Sequence, residues 1–163
     1  MDALSMHLQS LTETVRLGKM LGEMAQPGEV ICLDGDLGAG KTTLAQAIAA
    51  GLQVPSAYYV TSPSFAIFHE YPGRIPFYHM DFYRLNDSYE IVDLGLDEYF
   101  YLKGLTVIEW SERGQDLLPE DHLHIRLESA GENERIVRCT FTKVWADRIA
   151  IILKNLSSTQ GTP

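Results

Sequence analysis

The sequence predicts one α/β domain built around a phosphate-binding loop. Residues 35–42 read Gly-Asp-Leu-Gly-Ala-Gly-Lys-Thr, which is a complete G-x-x-x-x-G-K-[ST] motif. An apolar, strand-like run at 30–34 precedes the motif, and a run of helix formers at 43–50 follows it. A strand, a glycine-rich turn and a helix in this order are the context that the motif requires. The length of 163 residues suits one domain, predicted over 1–156 with a disordered tail at 157–163.

The first element is predicted to be a helix over residues 11–25. Residues 10–13 read Ser-Leu-Thr-Glu, which has the form of an N-terminal capping box. Four apolar residues follow at helical spacing: Leu17, Met20, Leu21 and Met24. The pair Pro27-Gly28 ends the helix and leads into the strand at 30–34. Two roles are open to this helix, because it either lies over the base or ribose of a nucleotide or only packs against the core.

The residue types of the motif follow from phosphate chemistry. Glycines let backbone N–H groups approach and surround phosphate oxygens, and the amino terminus of the next helix adds a partial positive charge. Lys41 is placed to reach the β- and γ-phosphates, and the Thr42 hydroxyl is placed to hold Mg²⁺. The alternative, a glycine-rich connection without a ligand, is disfavoured by the strand and helix on its two sides. The helix is predicted to stop near Gly51.

A β-hairpin is predicted next, with strands at 65–71 and 75–81. The loop before it carries three hydroxyl-bearing residues: Thr61, Ser62 and Ser64. Loops in this position can act as switches that sense the γ-phosphate and its metal. Ordinary turn chemistry explains the same residues, so both interpretations stay open at this point.

Two strands are predicted to end in carboxylates. Asp81 ends the second hairpin strand, and ligands of open α/β sheets gather at such ends, so Asp81 is a candidate for directing an attacking water. Capping of the following turn and pairing with Arg84 are equally good explanations. Glu109 ends the apolar run 105–109 and fits the Walker B pattern, in which the acid reaches Mg²⁺ directly or through water. Trp110 then either covers the site or packs in the core.

The remainder of the chain is predicted to be structural. His122 and His124 alternate in a strand-like run, and no cluster of cysteines or acids accompanies them to form a metal site. We therefore expect them to share a solvated face. A strand at 136–141 is predicted to pair with this run, and residues 145–156 have the spacing of a packing helix.

Composition and charge narrow the function classes. The net charge of −9 argues against a protein that binds nucleic acid by itself, because neutralising the phosphates requires clustered Lys and Arg. Acidic residues at 90–98 either face a basic partner or only solvent. Cys32 and Cys139 lie in apolar runs and are predicted to be packed thiols. Without a leader or a membrane-spanning stretch, the expected location is the cytoplasm.

Four blocks of the sequence, taken in order, resemble the TsaE (YjeE) family of small bacterial P-loop ATPases, which are needed to form threonylcarbamoyladenosine (t6A) on tRNA. The blocks are residues 35–43, 61–65, 79–85 and 108–114. The resemblance runs from about residue 14 to residue 135. It implies a P-loop NTPase-like three-layer α/β fold with a mixed central β-sheet, Mg²⁺-dependent ATP binding and weak intrinsic ATPase activity. It also implies action alongside the TsaD and TsaB subunits, with tRNA involved only indirectly.

Matched by position, the resemblance implies roles for individual residues. Thr42 and Glu109 would bind Mg²⁺, Lys41 and the surrounding backbone would bind phosphate, and Asp81 would support hydrolysis. The implied catalytic residues are Asp81, Lys41 and Glu109. The implied nucleotide-binding residues are Asp36, Leu37, Gly38, Ala39, Gly40, Lys41, Thr42, Thr43, Trp110 and Arg135.

The function expected from these observations is ATP hydrolysis by an accessory protein of tRNA modification. Two alternatives belong to other classes. A small-molecule kinase also combines a phosphate loop with a compact α/β domain, but it usually carries an arginine-rich lid, and none is evident in the sequence. A noncatalytic module would bind partners in a nucleotide-dependent way without hydrolysis. A GTPase is less favoured, because the sequence has no N-K-x-D guanine-recognition motif.

Overall fold

The computed structural model describes residues 1–158 and contains one seven-stranded sheet. The strands are β1 (Asp2–Leu8), β2 (Val30–Asp34), β3 (Phe68–Tyr71), β4 (Phe77–Asp81), β5 (Leu105–Glu109), β6 (Leu123–Ser129) and β7 (Arg135–Phe141). The α-helices are α1 (Leu11–Met24), α2 (Lys41–Gly51), α3 (Ser88–Asp93) and α4 (Lys143–Ser158). Two 3₁₀ segments cover Leu96–Tyr101 and Ser111–Leu117.

The sheet is mixed, and its order is β1-β7-β6-β2-β5-β4-β3. The four central strands β6, β2, β5 and β4 are parallel to one another. Antiparallel pairs extend the sheet at both ends, with β7 and β1 beyond β6 and with β3 beyond β4. The mixed central sheet implied by the resemblance is therefore confirmed.

Strand β2 shows why the molecule has three layers. All five of its residues are buried, and successive side chains point to opposite faces of the sheet. Ile31 and Leu33 join the core cluster formed with α1, α2 and α4, whereas Val30 and Cys32 join the cluster formed with α3 and the segment Leu96–Tyr101. A parallel strand buried on both faces has this continuous apolar sequence. The predicted three-layer α/β class is confirmed.

Most predicted elements appear, but several differ. Strand β4 begins at Phe77 and not at residue 75, and neither α3 nor the two 3₁₀ segments were predicted. The N-terminal residues form β1, a strand that the sequence pattern does not predict. Strand β3 begins at Phe68 and not at residue 65, because Ile67 has a φ of 71° and its N–H bonds to Pro63 O at 2.6 Å in a turn. Helix α4 includes Ser157 and Ser158, which were expected in the disordered tail, and residues 159–163 lie outside the described part of the chain.

Helices α1 and α2 approach backbone to backbone. A Cβ at Gly22 would lie 2.1 Å from Ile48 O, and one at Gly51 would lie 2.1 Å from Lys19 O. Both distances are far below van der Waals contact, so only glycine permits this packing. No residue of α1 lines the cavity beside the phosphate loop, and α1 packs against α2, which is one of the two roles that the sequence left open.

We expect Gly22→Ala to lower the free energy of unfolding by about 1–3 kcal/mol, because the added methyl group forces two packed backbones apart. Urea denaturation measures the effect. Gly131→Ala is the matched control, since a Cβ there meets its nearest atom at an ordinary 3.6 Å. Equal stability of the two variants would contradict the close approach of α1 and α2.

Cys32 and Cys139 are free and buried, as predicted. Burial raises the pKa of Cys139 to about 12, and burial also raises the pKa of Cys32, with a smaller contribution from the nearby Asp34 charge. The thiolate is the reactive form. We therefore expect no labelling of the native protein by an aromatic disulfide reagent at mildly alkaline pH, and labelling of both thiols in guanidinium. Rapid labelling of the native chain would show that the two thiols are accessible.

Candidate nucleotide site

Three parallel strands end together and define the site. Leu33 of β2 is the register partner of Glu109 on β5, and Asp81 of β4 is the register partner of the same residue. The phosphate loop, which follows β2, therefore lies beside the two carboxylates that end β4 and β5. The sequence placed both acids at strand ends, and the sheet order brings them to the same edge.

The phosphate loop turns sharply at glycines. Gly35 has a φ of 146°, and a Cβ there would lie 2.4 Å from Leu127 O on the neighbouring strand β6. Gly40 has a φ of 104° and forms the N-cap of α2. The positive φ disfavours any residue other than glycine at both positions. At Gly35 a side chain would also collide with the backbone of β6. The loop consequently wraps around the amino terminus of α2, where unpaired N–H groups and the helix dipole favour an anion.

Lys41 is folded back over the loop. Its Nζ donates to Gly35 O at 2.7 Å and to Asp36 O at 2.8 Å, and it lies 4.3 Å from the centre of the Trp110 ring. Burial lowers the pKa of Lys41, and the negative charges of Glu109, Asp34 and Asp81 act against that effect. The ammonium group is thus held inside the loop by carbonyl oxygens and an aromatic face.

Glu109 is a buried carboxylate with both oxygens engaged, and it is 2% exposed. Thr42 Oγ1 donates to Glu109 Oε1 at 3.1 Å, and His79 Nε2 donates to Glu109 Oε2 at 2.7 Å. Because a carboxylate only accepts, the hydrogen on His79 is placed at Nε2. His79 is fully buried and its Nδ1 has no partner among the described residues, so its polar contact is with Glu109. His79 thereby fixes the orientation of the acid, as partners behind a ligand side chain do.

Asp81 faces the cavity and is held from two sides. Ser62 Oγ donates to Asp81 Oδ2 at 2.7 Å, and the Tyr83 N–H donates to Asp81 Oδ1 at 2.9 Å. The second bond is the turn-capping interaction that the sequence left open. Arg84, the other suggested partner, lies with its guanidinium 4.0 Å from the centre of the Phe65 ring. The contact with Ser62 ties the 61–65 loop to the carboxylate.

Arg135 closes another side of the loop. Its Nε donates to Ala39 O at 2.7 Å, and one terminal nitrogen donates to carbonyl oxygens of residues 131, 132 and 134. The guanidinium lines the cavity beside the loop. The first residue of β7 thus holds the phosphate loop in place.

These side chains surround one cavity of about 500 Å³. Of the residues implied by the sequence and the resemblance, the following line it: Leu37, Gly38, Gly40, Lys41, Thr42, Thr43, Ser62, Ser64, Asp81, Glu109, Trp110 and Arg135. Thr61, Asp36 and Ala39 do not line it, although the carbonyl oxygens of Asp36 and Ala39 accept from Lys41 and Arg135 respectively. Tyr83 and Arg84 line the cavity but had not been assigned to the nucleotide. Their position two and three residues after Asp81 was the available signal.

One expectation for the histidines is wrong. His124 does not lie on a purely solvated face, because its Nε2 donates to Asp34 Oδ2 at 2.7 Å and Asp34 is buried. His122 precedes β6 and contacts Pro119 O through Nδ1 at 2.7 Å. Within residues 1–158, no group of three or more His, Cys, Asp or Glu side chains is placed to hold a metal ion.

Comparison with known proteins identifies the family. A family model described as threonylcarbamoyl adenosine biosynthesis protein TsaE matches residues 8–137, which is most of the chain. The chain belongs to the TsaE family. The recognition made from the four sequence blocks is therefore confirmed.

Relatives and a solved structure agree with the family match. The TsaE protein of Bacillus subtilis is 43% identical over 146 residues, covering 89% of this chain and 88% of that protein. The TsaE protein of Nostoc is 41% identical over 143 residues, covering 84% and 86% of the two chains. The crystal structure of Bacillus subtilis YdiB matches with a TM-score of 0.75 at 35% identity, covering 98% of this chain and 97% of that one.

Over residues 1–158, none of the helices has the length and apolar character needed to cross a membrane.

We expect His79→Leu to lower the free energy of unfolding by about 1–3 kcal/mol, because Glu109 Oε2 would remain buried without its donor. Thermal or urea denaturation measures the loss. His7→Leu is the control, since His7 and Glu134 form an exposed pair that contributes little. A His79→Leu protein as stable as the His7→Leu protein would show that Glu109 does not depend on His79.

Proposed function

We propose that this protein binds Mg·ATP, hydrolyses it slowly by itself, and serves as an accessory protein in t6A modification of tRNA at position 37. It acts together with the TsaD and TsaB subunits, and its effect on tRNA is exerted through them. Membership of the TsaE family supports the place in t6A formation, and the site supports the chemistry. The net charge of −9 is consistent with a protein that acts through protein partners.

The observation that carries the proposal is that groups suited to phosphate, to a metal ion and to a water molecule all line one cavity. The phosphate loop supplies N–H donors and Lys41, Thr42 with Glu109 supplies oxygen ligands, and Asp81 supplies a carboxylate for water. These groups come from three separate segments of the chain, and the parallel strands place them together. Such a set is what phosphoryl transfer to water requires.

The residues present fit a magnesium ion bound together with ATP. The Thr42 hydroxyl and the Glu109 carboxylate are hard oxygen donors 3.1 Å apart at the cavity wall. Mg²⁺ prefers such oxygens and usually takes its other ligands from phosphates and water. Thr42 and Glu109 would hold the ion, which would supply positive charge to offset the charge of the phosphates.

In the proposed mechanism the residues around the cavity bind the phosphates and orient the attacking water. The loop N–H groups and the amino terminus of α2 hold the phosphates, and Lys41 exchanges a loop carbonyl for a phosphate oxygen. Asp81 accepts a hydrogen bond from the attacking water and orients it toward the γ-phosphate. Ser62 of the 61–65 loop donates to Asp81, so loss of the γ-phosphate beside Asp81 would change the conformation of this loop. The partner subunits respond to that change and so to the state of the nucleotide.

Phosphate release from ATP tests the proposal, measured with the protein alone and with TsaD and TsaB added. We expect slow release that the partners stimulate. Glu109→Ala should abolish it, and Asp81→Asn should lower the rate by about 10²-fold with ATP binding retained. Thr42→Ala should weaken binding of Mg·ATP, whereas Thr12→Ala, an exposed change in α1, should have no effect.

The other outcomes separate the alternatives. ATP-dependent partner binding that survives Asp81→Asn, with no phosphate release in any mixture, would identify a noncatalytic binding module. Transfer of the phosphoryl group to a metabolite would identify a small-molecule kinase. Either result would contradict the ATPase proposal.

A further inference from the structure

Asp34 is a buried carboxylate that the proposed mechanism does not use. It ends β2 directly before the phosphate loop and is 1% exposed. It lines a second cavity, of about 350 Å³, and is absent from the lining of the nucleotide cavity. A buried carboxylate is costly unless its oxygens are hydrogen-bonded, so its partners show what it does.

The partners of Asp34 hold the chain immediately after Trp110. The Ser111 N–H donates to Asp34 Oδ1 at 2.7 Å, and Ser111 Oγ donates to Asp34 Oδ2 at 2.5 Å. His124 Nε2 donates to Oδ2 from the neighbouring strand β6 at 2.7 Å. Both carboxylate oxygens are therefore committed to fixing one residue, Ser111, against the end of β2.

Trp110 needs such fixing because its backbone is strained. Its φ of 57° and ψ of 45° lie in the left-handed region, which costs a residue other than glycine roughly 1–2 kcal/mol. The Trp110 N–H donates to Leu33 O at 3.2 Å, and the next N–H is the one held by Asp34. Two consecutive amides are thus bound by the last two residues of β2, and a strained conformation persists when its surroundings determine it in this way.

The indole of Trp110 is a wall of the nucleotide cavity. It lies 4.3 Å from Lys41 Nζ, and its ring centre is 4.9 Å from that of Tyr83. A change in the Trp110 backbone would move this wall and the aromatic face that covers Lys41. The path from Asp34 to the cavity therefore runs through Ser111 and Trp110.

We infer that Asp34 is a positioning residue for nucleotide binding: by bonding Ser111 it fixes Trp110 in its left-handed conformation and thereby sets the indole against Lys41 and the bound nucleotide. The inference rests on the proposed function for its effect on ATP. The position of the indole, however, can be measured without any nucleotide.

The emission of Trp110 is the direct readout. The chain has two tryptophans, and Trp145→Phe leaves Trp110 as the only one. Trp145 is fully buried and its Nε1 has no partner among the described residues, so phenylalanine removes no hydrogen bond there. In this background we expect Asp34→Ala to shift the emission of Trp110 to longer wavelength and to increase its quenching by acrylamide.

Asp34→Asn separates positioning from charge. The asparagine carbonyl still accepts from the Ser111 N–H, and its NH₂ can donate to the rotated Ser111 hydroxyl and to an unprotonated nitrogen of His124. The negative charge near Lys41 is lost. A positioning role predicts that Asp34→Asn keeps the emission and ATP affinity close to those of the parent. Equal loss of ATP affinity in Asp34→Asn and Asp34→Ala would show that charge matters and would overturn the inference.

A double-mutant cycle tests the route through Trp110. Calorimetric titration with Mg·ATP should show about 10-fold weaker binding for Asp34→Ala in the parent, and a change below about 2-fold when Trp110→Ala is already present. Additive effects would mean that Asp34 acts on the phosphate loop directly. Gln115→Ala is the control, because this exposed residue lines the same second cavity as Asp34.

Two further outcomes are distinguishable. If the parent binds no ATP, the proposed function fails, and the emission and quenching of Trp110 still decide the inference. If Asp34→Ala does not fold, Ser111→Ala replaces it and should give a smaller shift of the same sign, because one of the two bonds from Ser111 is lost. Unchanged emission in the folded variant would overturn the inference.

Discussion

Three buried carboxylates end three neighbouring parallel strands, and much of the site is arranged to satisfy them. Asp34, Asp81 and Glu109 are each at most 3% exposed. A buried charge without partners would destabilise the fold strongly, so each oxygen of the three side chains accepts a hydrogen bond. The donors come from α2, the 61–65 loop, β4 and the segments that follow β4 and β5. Satisfying the acids therefore fixes the parts of the chain that surround the cavity.

The three carboxylates have different roles because their side chains point to different sides of the sheet. Asp81 and Glu109 line the cavity beside the phosphate loop, whereas Asp34 points to the other side of β2 and lines a different cavity. Lys41 is the cation that all three influence. An excess of negative charge around one lysine suits a site that also receives a divalent cation, which is the arrangement that we propose for Mg·ATP.

Local patterns in the sequence predicted the centre of the fold well. The limits of β2 and β5 were predicted to the residue, because both are apolar runs ended by an acid, and α2 ended at Gly51 as expected. Strand β1 was missed because only Met6 and Leu8 are buried in it, so its apolar pattern is weak. The partner of His124 was missed because Asp34 lies 90 positions earlier and only the pairing of β6 with β2 brings them together. The strain at Trp110 likewise depends on tertiary packing, because the partners of its backbone lie on β2.

The pairing of β1 with β7 has a consequence for the order in which the molecule is assembled during synthesis. Asp2 pairs with Phe141 and Leu8 with Arg135, so β1 cannot pair with its neighbour until residues 135–141 have been synthesised. The parallel strands β2, β4 and β5 lie within residues 30–109 and can associate earlier. Arg135, which begins β7, arrives with that late pairing and bonds Ala39 in the phosphate loop. On the ribosome, the loop would therefore emerge long before the side chain that holds it, and the wall that Arg135 adds to the cavity would form only when β7 joins the sheet.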